Sequence, residues 1–168
     1  IRKYQWFNIP LSLHGVVVRT DGTQINISVG ESAGDPIFCI PDLLPHLAQQ
    51  YAGKKLSEAF DGEKLNVIVG NIECGDAEKS KIKYGVMKLL NEKYGICEAD
   101  FMSAELELVP AFAARDLGLD RSMVCGYGQD DRVCAYTALR AVIDIKQPKK
   151  TAICLLVDKE EIGSMGNT

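Results

Sequence analysis

Two acidic doublets, Asp130-Asp131 and Glu160-Glu161, hold the residue types best suited to chemistry in this sequence. Each doublet alone reads as a solvated loop. Their joint placement says more. The first follows a β-rich run, Ser122 to Tyr127, and the turn Gly126-Tyr127-Gly128; the second follows Thr151 to Val157, which is nearly all apolar. If both runs are parallel strands, the doublets fall at carboxyl ends on one edge of a sheet, where ligands of open α/β sheets bind. Neighbouring strands lie about 4.8 Å apart. Carboxylates from the two ends can then converge on cations about 3.5–4 Å apart, the spacing of two-metal hydrolytic sites. Like charges packed this way need a cation, or they shift their pKa values and neutralise. Consecutive residues of an extended segment point to opposite sides. One Glu can therefore ligate a metal while its neighbour faces the water to be activated, as general-base work requires. Spacing alone leaves three readings open: solvated loops, a hydrolytic metal site, or a magnesium-dependent phosphotransfer site.

The other metal-ligating residue types do not complete the set. Zinc prefers His nitrogen or Cys sulfur beside carboxylate, but the two histidines, His14 and His46, both precede the stretch that carries the doublets. Either the site is not zinc, or its His ligands lie outside this sequence. Six cysteines at wide spacings, with no Cys-x-x-Cys pair, fit neither a zinc knuckle nor a disulfide scaffold. They predict a reducing, cytoplasmic compartment. Gly126-Tyr127-Gly128 lacks both the following Gly and the Lys-Ser/Thr of a phosphate-cradling loop.

The elements that must position these residues fall into two regions. The first, to about residue 110, reads mostly as strands with a few helices. Asp21-Gly22 between two β-rich runs, the second alternating through Ile25, Ile27 and Val29, predicts a hairpin. Leu65 to Ile72 is a further strand candidate. Lys79 to Tyr94 places Ile82, Val86, Leu89 and Leu90 at helical spacing and meets a stop at Gly95. Met102, Ala104, Leu106 and Leu108 alternate with polar residues and predict a half-solvated strand. In the second region, Ser122 to Tyr127, a helix from Arg132 to Ile145 and the return strand Thr151 to Val157 would form one βαβ unit. Such a unit cannot bury both faces of a parallel sheet, so this region is expected to be an incomplete domain.

Composition bounds the function. The chain has 168 residues, 46% hydrophobic and 25% charged, with a net charge of −4. That suits one ordinary domain or two small ones and argues against a nucleic-acid binder, which would neutralise phosphates with Lys and Arg. No apolar run approaches the roughly 20 residues needed to span a bilayer, and no basic segment precedes one as in a signal peptide. With Ile at the start and no helix predicted after Gly163-Ser164, the sequence reads as a piece of a longer polypeptide.

Gly126-Tyr127-Gly128-Gln129-Asp130-Asp131-Arg132-Val133-Cys134-Ala135 and Asp158-Lys159-Glu160-Glu161-Ile162-Gly163-Ser164 closely resemble two active-site motifs of the aspartyl aminopeptidase/vacuolar aminopeptidase I family of dinuclear zinc exopeptidases. Trp6-Phe7, Pro10 to Gly15 and Ile40 to Leu47 resemble that family's inserted dimerisation domain. The resemblance implies an α/β protein: a β-rich dimerisation domain with helices at 1–110, joined at 111–168 to an incomplete βαβ part of the zinc-exopeptidase sheet. It implies two zinc ions per site, with cobalt or manganese as substitutes. Asp130 would bridge the metals, and the peptide bond that follows it, to Asp131, would be cis. Glu160 would be the general base and Glu161 a ligand of one zinc. His46 would reach a neighbouring subunit's active site and help bind the substrate. The implied activity is release of an acidic or neutral N-terminal residue from peptides by dimers that build a tetrahedral dodecamer. The Gly-Gln-Asp-Asp-Arg form is nearer the aminopeptidase I branch than the strictly acidic-specific one. Three family ligands, two His and an Asp, have no counterpart in this sequence. The first alternative is an interaction module without catalysis, in which only the first region folds. The second is a magnesium-dependent phosphotransfer enzyme.

Overall fold

In the computed structural model, residues 8–41, 46, 49, 53–55, 58, 62–75 and 77–157 are described. The chain divides into two units, Ile1–Phe112 and Ala113–Thr168.

The first unit is built on an antiparallel sheet of three strands, β1 (Leu11–Val18), β2 (Gln24–Val29) and β3 (Glu105–Pro110), in the order β2-β1-β3. The hairpin expected at Asp21-Gly22 joins β1 to β2. The Gly22 N–H donates to the Arg19 carbonyl at 2.9 Å and the Arg19 N–H to the Thr23 carbonyl at 2.9 Å. Gly22 takes φ 85°, a left-handed conformation that costs glycine nothing. Register pairs Leu13 with Val29 and Leu108, and Gly15 with Ile27 and Leu106, so alternate residues share one face. That face carries the core: Val17, Ile27, Val29 and Ile96 are buried together, with Leu13, Ile25, Tyr94 and Leu106 packed against them. A second cluster joins Leu11 and Ile40 to Leu65, Val67 and Leu108. Gly15 marks a close approach between strands, since a Cβ there would collide with the Glu105 carbonyl oxygen.

The helix expected over Lys79 to Tyr94 is α1 (Lys81–Tyr94). Gly95 closes it in the left-handed conformation, its N–H donating to the Asn91 carbonyl at 2.7 Å. Two strand expectations are corrected. Leu65 to Ile72 forms only an isolated bridge, Ile68 to Cys39, because Leu65 and Val67 pack into the second cluster rather than pairing along a neighbour. The strand expected from Met102 begins at Glu105, because Glu98–Ser103 forms a 3-10 helix. Buried Asp100 holds that helix: its carboxylate accepts the Cys97 N–H at 2.8 Å and the Thr20 N–H at 3.1 Å. The Cys97 hydrogen bonds, with smaller help from Thr20 and Arg19, hold the Asp100 carboxyl below its usual range.

The second unit contains an antiparallel pair, β4 (Arg115–Leu117) and β5 (Met123–Cys125), followed by α2 (Gln129–Ile143). Asp144 closes α2, taking an ion pair from Arg140 at 2.7 Å. The α/β class is as expected, with small antiparallel sheets beside helices. One element of the expected βαβ unit differs, since 151–157 forms no strand and the strand beside β5 is antiparallel β4. A strand exists only where another backbone supplies its ladder, and none of the described residues runs beside 151–157. Among the described residues no helix is long and apolar enough to cross a membrane.

Candidate metal centre

The turn from β5 into α2 presents the first acidic doublet. Gly128 stands at the start of α2 with φ 72° and ψ 28°, and Asp130 interrupts the helical backbone with φ −92° and ψ 115°. The peptide bond from Asp130 to Asp131 is cis, as the resemblance implied. Both side chains are exposed. The neighbouring Asp131 side chain, through hydrogen bonding and then through its charge, with a little desolvation, pushes the Asp130 carboxyl above its ordinary value.

The residues on either side tie this turn back to the strand. The Gln129 side-chain amide donates to the Val124 carbonyl at 3.2 Å. The Arg132 guanidinium donates through Nη1 to the Tyr127 carbonyl at 2.9 Å and lies over the Tyr127 ring, 5.8 Å from its centroid. Sequence reasoning placed both residues inside the motif and assigned neither a role. Their partners are backbone carbonyls five residues away, and side-chain type does not reveal such contacts.

The oxygen donors of Asp130 and Asp131 fit a divalent cation in chemistry, hard anionic groups that a zinc ion accepts beside nitrogen ligands. They do not complete a site, since among the described residues no three His, Cys, Asp or Glu side chains come together to hold a metal. Glu160 and Glu161 lie outside the described residues. His46 is described as an exposed turn residue of the first unit, and Asp130 belongs to the second. His14, for which sequence reasoning found no role, meets Glu31 at 2.7 Å and Ser12 at 3.1 Å, both through Nε2. The Glu31 contact ties the segment after β2 to β1.

The family described as aminopeptidase I zinc metalloprotease (M18) matches residues 1–168. The chain is 56% identical over 169 residues to a probable M18 family aminopeptidase 1 of Clostridium acetobutylicum, a match covering 100% of this chain and 36% of that protein. It is also similar to the crystal structure of an M18-family aminopeptidase from Thermotoga maritima. There the TM-score is 0.88 at 53% identity, over 99% of this chain and 36% of that one. The crystal structure of aminopeptidase I from Clostridium acetobutylicum gives a TM-score of 0.86 at 56% identity, over 98% of this chain and 36% of that one. The chain therefore spans about 36% of the length of these relatives.

Proposed function

The chain belongs to the aminopeptidase I zinc metalloprotease family, and from that premise we propose that it serves a metallo-aminopeptidase that releases acidic or neutral N-terminal residues from peptides. What carries this reading is the family match over residues 1–168, with the exposed Asp130-Asp131 pair standing at the turn after β5. Asp130 would be the carboxylate shared by the two zinc ions and Glu161 a ligand of one of them, with cobalt or manganese able to substitute. What a bound zinc pair supplies is Lewis acidity at the first peptide carbonyl and at the attacking water. Glu160 takes the proton of that water on a carboxylate oxygen and returns it to the leaving amide nitrogen. His46 contacts the substrate in a neighbouring subunit.

In the same reading, 1–110 is the dimerisation domain and 111–168 part of the catalytic domain. The dimers build a tetrahedral dodecamer, and the enzyme works in the cytoplasm. The family match does not favour a catalytically silent interaction module or a magnesium-dependent phosphotransfer enzyme.

The test is hydrolysis of chromogenic substrates with N-terminal Asp, Glu or Leu by a chain extended to the length of its relatives, with zinc or cobalt added and a chelator control. Chelator-sensitive release is expected, and its loss on Glu160→Gln with metal still bound would assign the base. No release from any substrate with metal supplied would sink the peptidase reading.

A further inference from the structure

Arg132 stands two residues after Asp130 and is exposed. An arginine so placed would ordinarily swing onto the acidic pair, since opposite charges about 4 Å apart attract by about 1 kcal/mol even in water. There it would compete with any cation. Its charge is directed elsewhere, however. The guanidinium is engaged by the Tyr127 carbonyl and ring, and among the described residues no ion pair joins it to Asp130 or Asp131. Gly128 lies beneath it: a Cβ at that position would sit 3.2 Å from the guanidinium carbon and 3.3 Å from Nε. On the other side of the doublet, Gln129 makes the matching tie to Val124. The two carboxylates thus sit between side chains that both reach back to the strand and turn.

We propose that Arg132 is a positioning residue for the metal centre, clamping the β5–α2 turn so that Asp130 is held for a metal ion and not paired by the neighbouring guanidinium. The inference rests on the reading of Asp130 as a metal ligand. The clamp needs arginine in particular, because a planar fork that hydrogen-bonds in its plane while stacking on a ring has no counterpart in lysine's point charge. Groups that orient ligands without touching the metal typically cost 10–100-fold in metal affinity when removed.

The experiment is zinc titration against a chromophoric chelator, using the chain extended to the length of its relatives, with Arg132→Met, Arg132→Lys and Asp130→Asn beside the parent. Thermal melting of the metal-free proteins separates affinity from stability. We expect Arg132→Met to weaken zinc binding about 10–100-fold with little change in the metal-free Tm, and Arg132→Lys to recover only part of the loss. If Arg132→Met binds zinc within about twofold of the parent while Asp130→Asn loses it, the clamp is overturned and the ligand assignment stands. A fall in metal-free Tm with zinc affinity unchanged also overturns it, as a merely structural role. If Asp130→Asn leaves zinc binding intact, the ligand reading itself fails, and the clamp with it.

Discussion

The two units of this chain solve opposite problems. In the first, three paired strands carry alternating apolar residues that meet Ile40 and Ile96, and the buried hydrophobic residues Leu11, Val17, Ile27, Val29, Ile40 and Ile96 all belong to it. In the second, a pair of three-residue strands and one helix leave Val124, Val133, Tyr136 and Ile143 exposed, and no described residue is buried. Two short strands cannot shield an apolar face by themselves. Yet the second unit presents the carboxylates. Among the described residues, then, the buried core lies in the first unit and the exposed Asp130-Asp131 pair in the second. Beside that pair, Gln129 and Arg132 hydrogen-bond to the Val124 and Tyr127 carbonyls.

This contrast can be broken by substitution. The largest effect is expected at the centre of the first unit's packing. Leu11→Ala removes a fully buried side chain between Ile40 and Leu108 and should cost about 2–5 kcal/mol of unfolding free energy in denaturant melts of the 168-residue chain. A loss below about 0.5 kcal/mol would show that this cluster is not what holds the unit. A smaller effect is expected from Asp100. Its folded carboxyl titrates below its unfolded value, so its stabilisation is fully present above the ordinary carboxylate range and fades as pH falls through that range toward the lowered folded value. Asp100→Asn should therefore lower Tm by a few degrees at neutral pH and flatten the acid dependence of melting. An unchanged acid profile would remove Asp100 from the account. The smallest effect is expected in the second unit: Leu155, 80% exposed, should tolerate Ala within about 0.5 kcal/mol in the same chain. A cost as large as that at Leu11 would erase the distinction between the units.

Much of the fold was legible where the signal is local. The Asp21-Gly22 turn, Gly95 after the helical stripe and the helix following Gly128 each announce themselves within a few residues. Element boundaries failed where a distant partner intervened. The start of β3 moves because Asp100 caps a 3-10 helix while also reaching Thr20, eighty residues earlier in sequence. His14 drew no role from its surroundings in sequence because Glu31, its partner, is brought near only by the β1–β2 pairing and the bend after it. For the candidate site, the resemblance implied the cis bond after Asp130, which the structure shows, while a metal role for Asp130 rests on the resemblance. Glu160 and Glu161 remain assigned by resemblance alone, outside the described residues.

The sequence by itself determined the alternation that builds the first sheet, the turn and cap residues that end its elements, the family, and which side chains are able to bind a cation. Periodicity, turn chemistry and motif order are properties of neighbours along the chain, and no folding is needed to read them. Tertiary structure alone decided that Leu65 and Val67 pack into the second cluster while Ile68 makes a single bridge to Cys39, that β5 pairs with antiparallel β4, and that Arg132 closes on Tyr127 rather than on the aspartates beside it. Each of those outcomes depends on which backbone groups come within hydrogen-bond reach, and that distance is set in space rather than in sequence.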